Sequence, residues 1–203
     1  MGFTVKNLIS SIKNLAPYLQ EKAEMLNSAD AKLGDGDIGI SLVRGVETII
    51  KEINELPDDV GIAFLKCAQA FTRVSGSSYG TLLATGLMSA AKECKGKTEI
   101  PWDNIENLLS GALEAMIQRG KGALGQKTVL DVIEAARVAV SSISSGSQIN
   151  SKILSAVEVT LVEFRNMPAQ QGRARMFGQR SVGLDDHGML AFKTIVEGLV
   201  EKK

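Results

Sequence analysis

The stretch Asp30-Ala31-Lys32-Leu33-Gly34-Asp35-Gly36-Asp37-Ile38-Gly39 decides how the rest of the chain reads. Asp30, Asp35 and Asp37 fall within eight positions, with Gly34, Gly36 and Gly39 among them. On a helix, Asp35 and Asp37 would point about 200° apart, because residues two apart do not share a face. The glycines oppose a helix here in any case, since they permit positive φ and close backbone approach. The stretch therefore reads as a tight loop that folds three carboxylates toward one point. Like charges at one point repel unless a cation sits among them. Oxygen ligands without His or Cys suit Mg²⁺, Ca²⁺ or Mn²⁺. The EF-hand pattern is not met, because its glutamate at the twelfth position is missing. A solvated Asp/Gly turn uses the same residue types, so the flanking chain has to choose between the two readings.

The flanks are helical throughout. Nearly every segment carries apolar residues at helical spacing, and none alternates like a strand. Val5, Leu8, Ile9, Ile12 and Leu15 form one stripe, Pro17 restarts the chain, and a second helix runs toward Asp30. After the acidic loop, Ile40, Val43, Val46, Ile50 and Ile53 mark a helix that stops near Pro57. Asp58 or Asp59 caps the next, which carries Val60, Ala63, Phe64, Cys67, Phe71 and Val74. Further helices carry Leu82 to Ala90, Ile105 to Ile117 (capped by Asp103), Val129 to Ile143, Ile149 to Phe164 and Leu190 to Leu199. The pattern predicts eight or nine helices with mostly short connections, and hence an all-α antiparallel bundle over residues 1–203 as a single domain.

Composition narrows the function classes. The chain has 203 residues, 44% of them hydrophobic, which is enough for a substantial core. Its 23 basic and 23 acidic residues cancel, so no basic stripe marks a nucleic-acid binder. Cys67 and Cys94 both lie in apolar helical patterns and read as core thiols of a reducing compartment. Lys6, Asn7 and Lys13 interrupt any leader-like apolar run. The mostly apolar stretch from Leu82 to Ala91 is too short to span a bilayer. A soluble, cytoplasmic protein is expected, with neither nucleic acid nor membrane as partner.

In an up-and-down bundle, loops separated by an even number of helices emerge at one end. The acidic loop, Ser75 to Thr81, Gly120 to Gln126, and Met167 to Gly188 follow each other at that spacing. All four should therefore gather into one site. The two small-residue loops each precede a helix start, where free amides and the helix dipole favour anions. A cation cluster beside such loops matches the needs of a nucleotide polyphosphate. The run from Gly120 to Thr128 is not a P-loop, because Gln126 separates Gly125 from Lys127 and no strand precedes it. Lys127 reads either as a phosphate ligand or as a solvated first-turn lysine. Arg173, Arg175 and Arg180 offer planar forks for phosphate. His187 is the only histidine, and reads as a general base or nucleophile, or as a rim or capping residue.

Several stretches together carry a family resemblance. They are Gly34-Asp35-Gly36-Asp37-Ile38-Gly39, Ser75-Gly76 with Tyr79-Gly80-Thr81, and Arg119-Gly120-Lys121 with Gly125-Gln126-Lys127-Thr128. Gly172-Arg173-Ala174, Gly178 to Gly183 and Asp186-His187-Gly188 follow in order. Together they resemble the nucleotide-binding L subunit of dihydroxyacetone kinase, over essentially the whole chain. The resemblance implies an eight-helix antiparallel barrel with a nucleotide–Mg²⁺ site at one end. It implies that Asp30, Asp35 and Asp37 hold two Mg²⁺ ions on the phosphates of ADP or ATP. Ile38, Gly39, Ile40 and Ser41, with Val74, Ser75 and Gly76, would line the phosphates and nucleoside. Gly120, Thr128, Val129, Arg173, Asp186, His187 and Gly188 would complete the pocket. No residue would act as a nucleophile. The triose would be held by a separate K-type subunit, and in the phosphotransferase-linked branch an M-type subunit would rephosphorylate a resident ADP.

The chain departs from the family pattern at Ile38, Ser41, Val43, Ser77, Ser78, Gln126 and His187. Ile38 stands where histidine is expected, and His187 stands where proline is expected. These changes leave the carboxylates in place and bear on the acceptor, dihydroxyacetone or another small keto-sugar. Two other readings stay open: a nucleotide-loaded regulatory module without turnover, and a nucleotide domain like that of fatty-acid kinases.

Overall fold

A computed structural model describes residues 2–74 and 76–200. Eight α-helices occur among the described residues: α1 Val5–Asp30, α2 Ile38–Lys51, α3 Val60–Val74, α4 Ser78–Cys94, α5 Ile105–Gly120, α6 Val129–Val140, α7 Gly146–Arg165 and α8 His187–Gly198. Each helix packs on the next, and α8 returns to pack on α1, so the bundle closes on itself as an antiparallel barrel. The connections after α1, α3, α5 and α7 consequently lie at one end. Among the described residues, no helix is long and apolar enough to cross a membrane.

Pro17 does not restart the chain, as its sequence context suggested. It lies inside the 26-residue α1. Ile12, Leu15, Leu19 and Leu26 form one buried stripe on both sides of it, and burial of that stripe outweighs the lost backbone bond, which costs about 3 kcal/mol. Pro17 and Lys13, the residue whose carbonyl loses its amide partner, both lie on the exposed face of the helix. Because this merged break precedes the acidic loop, the alternation of loop ends is unchanged.

Two strands too short to show a period, β1 Phe3–Thr4 and β2 Glu99–Ile100, pair antiparallel at the far end of the barrel. Asp59 caps α3 by accepting the amide of Ile62 at 2.9 Å. Asp103 does not cap α5. It sits in a 3-10 turn, Trp102–Asn104, and Asn104 occupies the cap position. The core has two main parts. One joins α5, α6 and α7 through residues such as Val132, Val157 and Leu161. The other joins α1 to α4 through Leu19, Leu42, Val46 and Phe71. Helix α8 serves both, giving Met189 and Val196 to the first and Ala191 to the second. Cys67 and Cys94 are buried free thiols, and burial pushes Cys67 up to about 12.

Candidate functional site

The acidic loop is shaped by the end of α1. Asp30 closes that helix and is 2% exposed. Its Oδ2 accepts the amides of Asp37 at 3.0 Å and Ile38 at 3.2 Å. One turn earlier, Asn27 Oδ1 accepts the amides of Gly39 at 2.9 Å and Ile40 at 3.3 Å. Two side chains of α1 thus cap α2 across the loop, while Asp37, at the cap position, makes no capping bond of its own. Gly36 has φ +76°, which favours glycine at the turn. A Cβ on Gly39 would stand 2.2 Å from the Ala23 carbonyl oxygen, so only glycine lets α2 start this close to α1.

The result is one carboxylate oxygen from each of Asp30, Asp35 and Asp37 within 4.8 Å of the others. Burial and the neighbouring charges of Asp35 and Asp30 push the Asp37 carboxyl above its ordinary value, with Arg173 and Arg44 opposing. Arg173 also pairs directly with Asp35 through its guanidinium. Three carboxylates converging on one point, with the Asp37 carboxyl raised by the other two, fit a divalent cation bound by hard oxygens.

The four loops of this end surround a cavity of about 450 Å³. Of the residues singled out in the sequence, it is lined by Asp30, Asp35, Asp37, Ile38, Gly76, Gly120, Thr128, Val129, Arg173, Asp186, His187 and Gly188. Gly39, Ile40, Ser41 and Val74 lie outside the lining. The amides of Gly39 and Ile40 are taken by Asn27, that of Ser41 by the Asp37 carbonyl at 2.9 Å, and Val74 is exposed at the end of α3. Ser75 lies outside the described residues. Tyr79, Leu82, Met116, Arg119 and Gln171 also line the cavity. Tyr79 and Arg119 stood inside the quoted motifs, whereas Leu82 and Met116 read from sequence as ordinary stripe residues.

The helix starts facing the cavity are less open than their small residues suggest. Ser77 Oγ accepts the Gly80 amide at 3.1 Å. Thr128 Oγ1 accepts the Leu130 amide at 3.2 Å, and Asp131 accepts the Thr128 amide at 2.7 Å. Asp186 Oδ1 accepts the Met189 amide at 2.9 Å. Asp186 caps α8 and His187 is the first residue of that helix, so His187 is not the cap. Burial raises the Asp186 carboxyl above its ordinary value, against the charge of His187. His187 Nδ1 is buried without a hydrogen-bond partner among the described residues, 3.6 Å from Asp30 Oδ1.

Lys127 is neither a phosphate ligand nor a solvated lysine. It is 1% exposed, and its Nζ donates to the carbonyls of Met167 at 2.8 Å, Ser181 at 2.9 Å and Arg165 at 3.2 Å. It ties the α5–α6 loop to both ends of the α7–α8 connection. Within that connection, residues 173–181 form two short 3-10 turns separated by a kink at Gly178, whose φ is 49° and ψ −123°.

Comparison with known proteins places this geometry in context. Residues 32–201 match the model of the DAK2 domain. The chain is 27% identical over 191 residues to the PEP-dependent dihydroxyacetone kinase 1, ADP-binding subunit DhaL, of Listeria innocua, covering 94% of this chain and 92% of that one. It is 29% identical to the triokinase/FMN cyclase of Bos taurus over 98% of its own length, but spans only 35% of that larger protein. The crystal structure of the dihydroxyacetone kinase from C. freundii in complex with AMP-PNP and Mg²⁺ superimposes with a TM-score of 0.74 at 19% identity, covering 98% of this chain and 34% of that one.

Proposed function

This chain belongs to the DAK2 domain family, and from that premise we propose that it is the nucleotide-carrying phosphotransferase subunit of a dihydroxyacetone-type kinase. Residues 1–203 would act as one DhaL-like unit that passes a phosphoryl group to a small keto-sugar held on a separate K-type subunit. The observation that carries the reading is the meeting of three carboxylates within 4.8 Å at the wall of a 450 Å³ cavity. That volume lies in the range of small-ligand pockets, roughly 300–1,000 Å³.

Asp30, Asp35 and Asp37 would hold two Mg²⁺ ions, which when bound neutralise the charge of a polyphosphate and of the group in transfer. Arg173 would exchange its bond to Asp35 for a phosphate oxygen, supplying a fork of donors. Gly120, Thr128, Val129 and the turn from Asp186 to Gly188 would enclose the nucleoside. Because the caps at Ser77, Thr128 and Asp186 already use side chains, these helix starts would contribute mainly their dipoles. No group in the cavity needs to form a covalent intermediate, so catalysis would be positioning plus electrostatics.

A resident ADP, rephosphorylated by an M-type subunit, is favoured over exchangeable ATP. What supports this is the end-to-end match to a chain named as the ADP-binding subunit of a PEP-dependent kinase. Native mass spectrometry of the purified protein tests it, with retained ADP and two Mg²⁺ expected. A thermal scan on nucleotide-stripped protein gives the second readout. A ligand at a hundred times its Kd stabilises the fold by about 2.7 kcal/mol, and EDTA should remove that gain. No shift with ADP, ATP and Mg²⁺ would sink the nucleotide reading.

A further inference from the structure

The cavity is not uniform around its wall. The carboxylates of Asp30, Asp35 and Asp37 come from the loop after α1, and Arg173 reaches Asp35 from the α7–α8 connection. Leu82, Met116, Val129 and Leu130 come from α4, α5 and the start of α6, on the other side of the ring of helices. One side of the cavity is thus charged and the other apolar.

Tyr79 stands between the two sides. It lies in the first turn of α4, three positions before Leu82, so the two side chains share a helix face. On the apolar side, a Cβ on Gly120 would stand 3.3 Å from Leu82 Cδ2. On the charged side, a Cβ on Gly188 would stand 3.5 Å from the Tyr79 ring. Gly188 follows His187, which packs beside Asp30. The wall therefore runs from Asp30 through the first turn of α8 to Tyr79, and on to Leu82 and Gly120, all of which line the cavity. The Tyr79 ring packs against both main parts of the core, which fixes its position. Its hydroxyl has no hydrogen-bond partner among the described residues, yet it is not sealed inside the core. The space it opens on is the cavity. Burial, with the charge of Asp186 adding to it, pushes the phenol above its ordinary range. The hydroxyl is consequently neutral at pH 7 and can both donate and accept.

We propose that Tyr79 reads the sugar of the bound nucleotide: its hydroxyl hydrogen-bonds a ribose hydroxyl and makes the site prefer ribonucleotides to deoxyribonucleotides. This rests on the nucleotide reading of the cavity. Phosphates belong on the charged side, where cations and Arg173 meet them. The flat, largely apolar base belongs against Leu82 and Met116. A nucleotide laid in that direction carries its sugar over the middle of the wall, where Tyr79 supplies an open hydroxyl. A sugar lacking its hydroxyl would leave that phenol desolvated and unpaired, and such a cost is what lets a polar contact discriminate.

Isothermal titration of the nucleotide-stripped, full-length protein tests this in Mg²⁺ with ADP, 2′-deoxy-ADP and 3′-deoxy-ADP. One of the two deoxy compounds should bind the parent protein about tenfold more weakly than ADP, and which one it is identifies the hydroxyl. Tyr79→Phe removes the phenol oxygen and keeps the ring. It should weaken ADP about tenfold and leave the Kd of that deoxy compound within about twofold, so that the preference disappears. Its metal-free Tm should match the parent, because no hydrogen bond within the protein is lost. Equal Kd values for all three compounds in the parent protein would overturn the assignment without reference to any variant. A Tyr79→Phe protein that keeps the full preference would overturn it too, as would one that weakens all three compounds by the same factor. In each of those cases tight ADP binding still stands and the nucleotide reading survives. No binding of ADP to the parent protein would defeat both.

Discussion

Asp30, the last residue of α1, accepts the amide of Ile38, the first residue of α2, at 3.2 Å. The same oxygen takes the Asp37 amide at 3.0 Å. A residue read from sequence as a metal ligand is therefore also the cap of the next helix. Its neighbour Asp37 has only the electrostatic part of that role, since its side chain makes no capping bond.

The two aspartates should consequently separate stability from binding. Asp30→Ala leaves two amides without an acceptor and is expected to cost about 2 kcal/mol, a fall in Tm of roughly 4–8 °C for a chain this long. Asp37→Asn loses no cap and relieves repulsion, so its metal-free Tm at pH 7 should equal the parent or exceed it slightly. The sign follows from linkage: the Asp37 carboxyl lies above its ordinary value, so its ionisation opposes folding as pH rises. Any gain from Asn should therefore fade below the usual carboxylate range. Both variants should lose phosphoryl transfer by a hundredfold or more. Scanning calorimetry and a transfer assay with partner subunits check the pair, and wild-type transfer by Asp37→Asn would remove it from the metal site.

Lys127→Met is expected to destabilise the fold by about 3 kcal/mol, because three carbonyls, one of them on the buried Ser181, lose one shared donor. Lys127→Arg should not restore it, since a planar fork cannot address three carbonyls converging on one atom. Nucleotide affinity should fall along with stability, as the clamp holds the connection that carries Arg173 and Asp186. Denaturant unfolding and ADP titration measure the two effects, and a loss of affinity at unchanged stability would make Lys127 a ligand after all.

Much of this site was legible in the chain because helices alternate direction. Counting periodic segments was enough to bring the loops after α1, α3, α5 and α7 to one end, and the glycine-spaced aspartates named the carboxylate cluster. What escaped were contacts made between distant residues. Asn27 reads as an ordinary polar helix residue, yet it caps a helix that begins eleven positions later. Lys127 reads from sequence as a phosphate ligand or a solvated lysine, because nothing local reveals that carbonyls at 165, 167 and 181 converge on it. Pro17 does not break the helix, because a proline on the exposed face can be carried by a helix with a continuous buried stripe.

The acid limb of stability should involve Asp59. Its carboxylate accepts the amides of Ile62 and Gly96, both at 2.9 Å, joining the start of α3 to the turn after α4. The Ile62 bond in particular holds the Asp59 carboxyl below its ordinary value. A depressed carboxyl contributes stability above its unfolded-state pKa and loses it as pH falls through the folded one. Asp59→Ala should therefore lower Tm at pH 7 and flatten the further fall in Tm between about pH 5 and pH 3. Thermal scans across that range test it, and a parallel acid slope in both proteins would assign the acid limb to other groups.

The final expectation concerns what the chain does without a partner. Beyond the cavity that would hold the nucleotide, the described residues form amphipathic helices with apolar faces turned to the core. The end that carries the cavity also exposes large apolar side chains. Met176 is 76% exposed, and Leu124, Ile40 and Val182 are exposed on neighbouring segments of the same end. A terminal phosphoryl group here would face solvent until a second protein presented a hydroxyl and excluded water. Purified chain with ATP, Mg²⁺ and dihydroxyacetone should therefore give slow hydrolysis and no sugar phosphate, and adding a K-type subunit should start transfer. Met176→Glu places a charge on that rim while leaving the carboxylates and Arg173 alone. It should raise the concentration of partner needed for half-maximal transfer about tenfold, at an unchanged Kd for Mg²⁺–ADP. Sugar phosphorylation by the chain alone would require an acceptor pocket within it and defeat the split arrangement. An unaltered partner requirement in Met176→Glu would move the docking surface to another face.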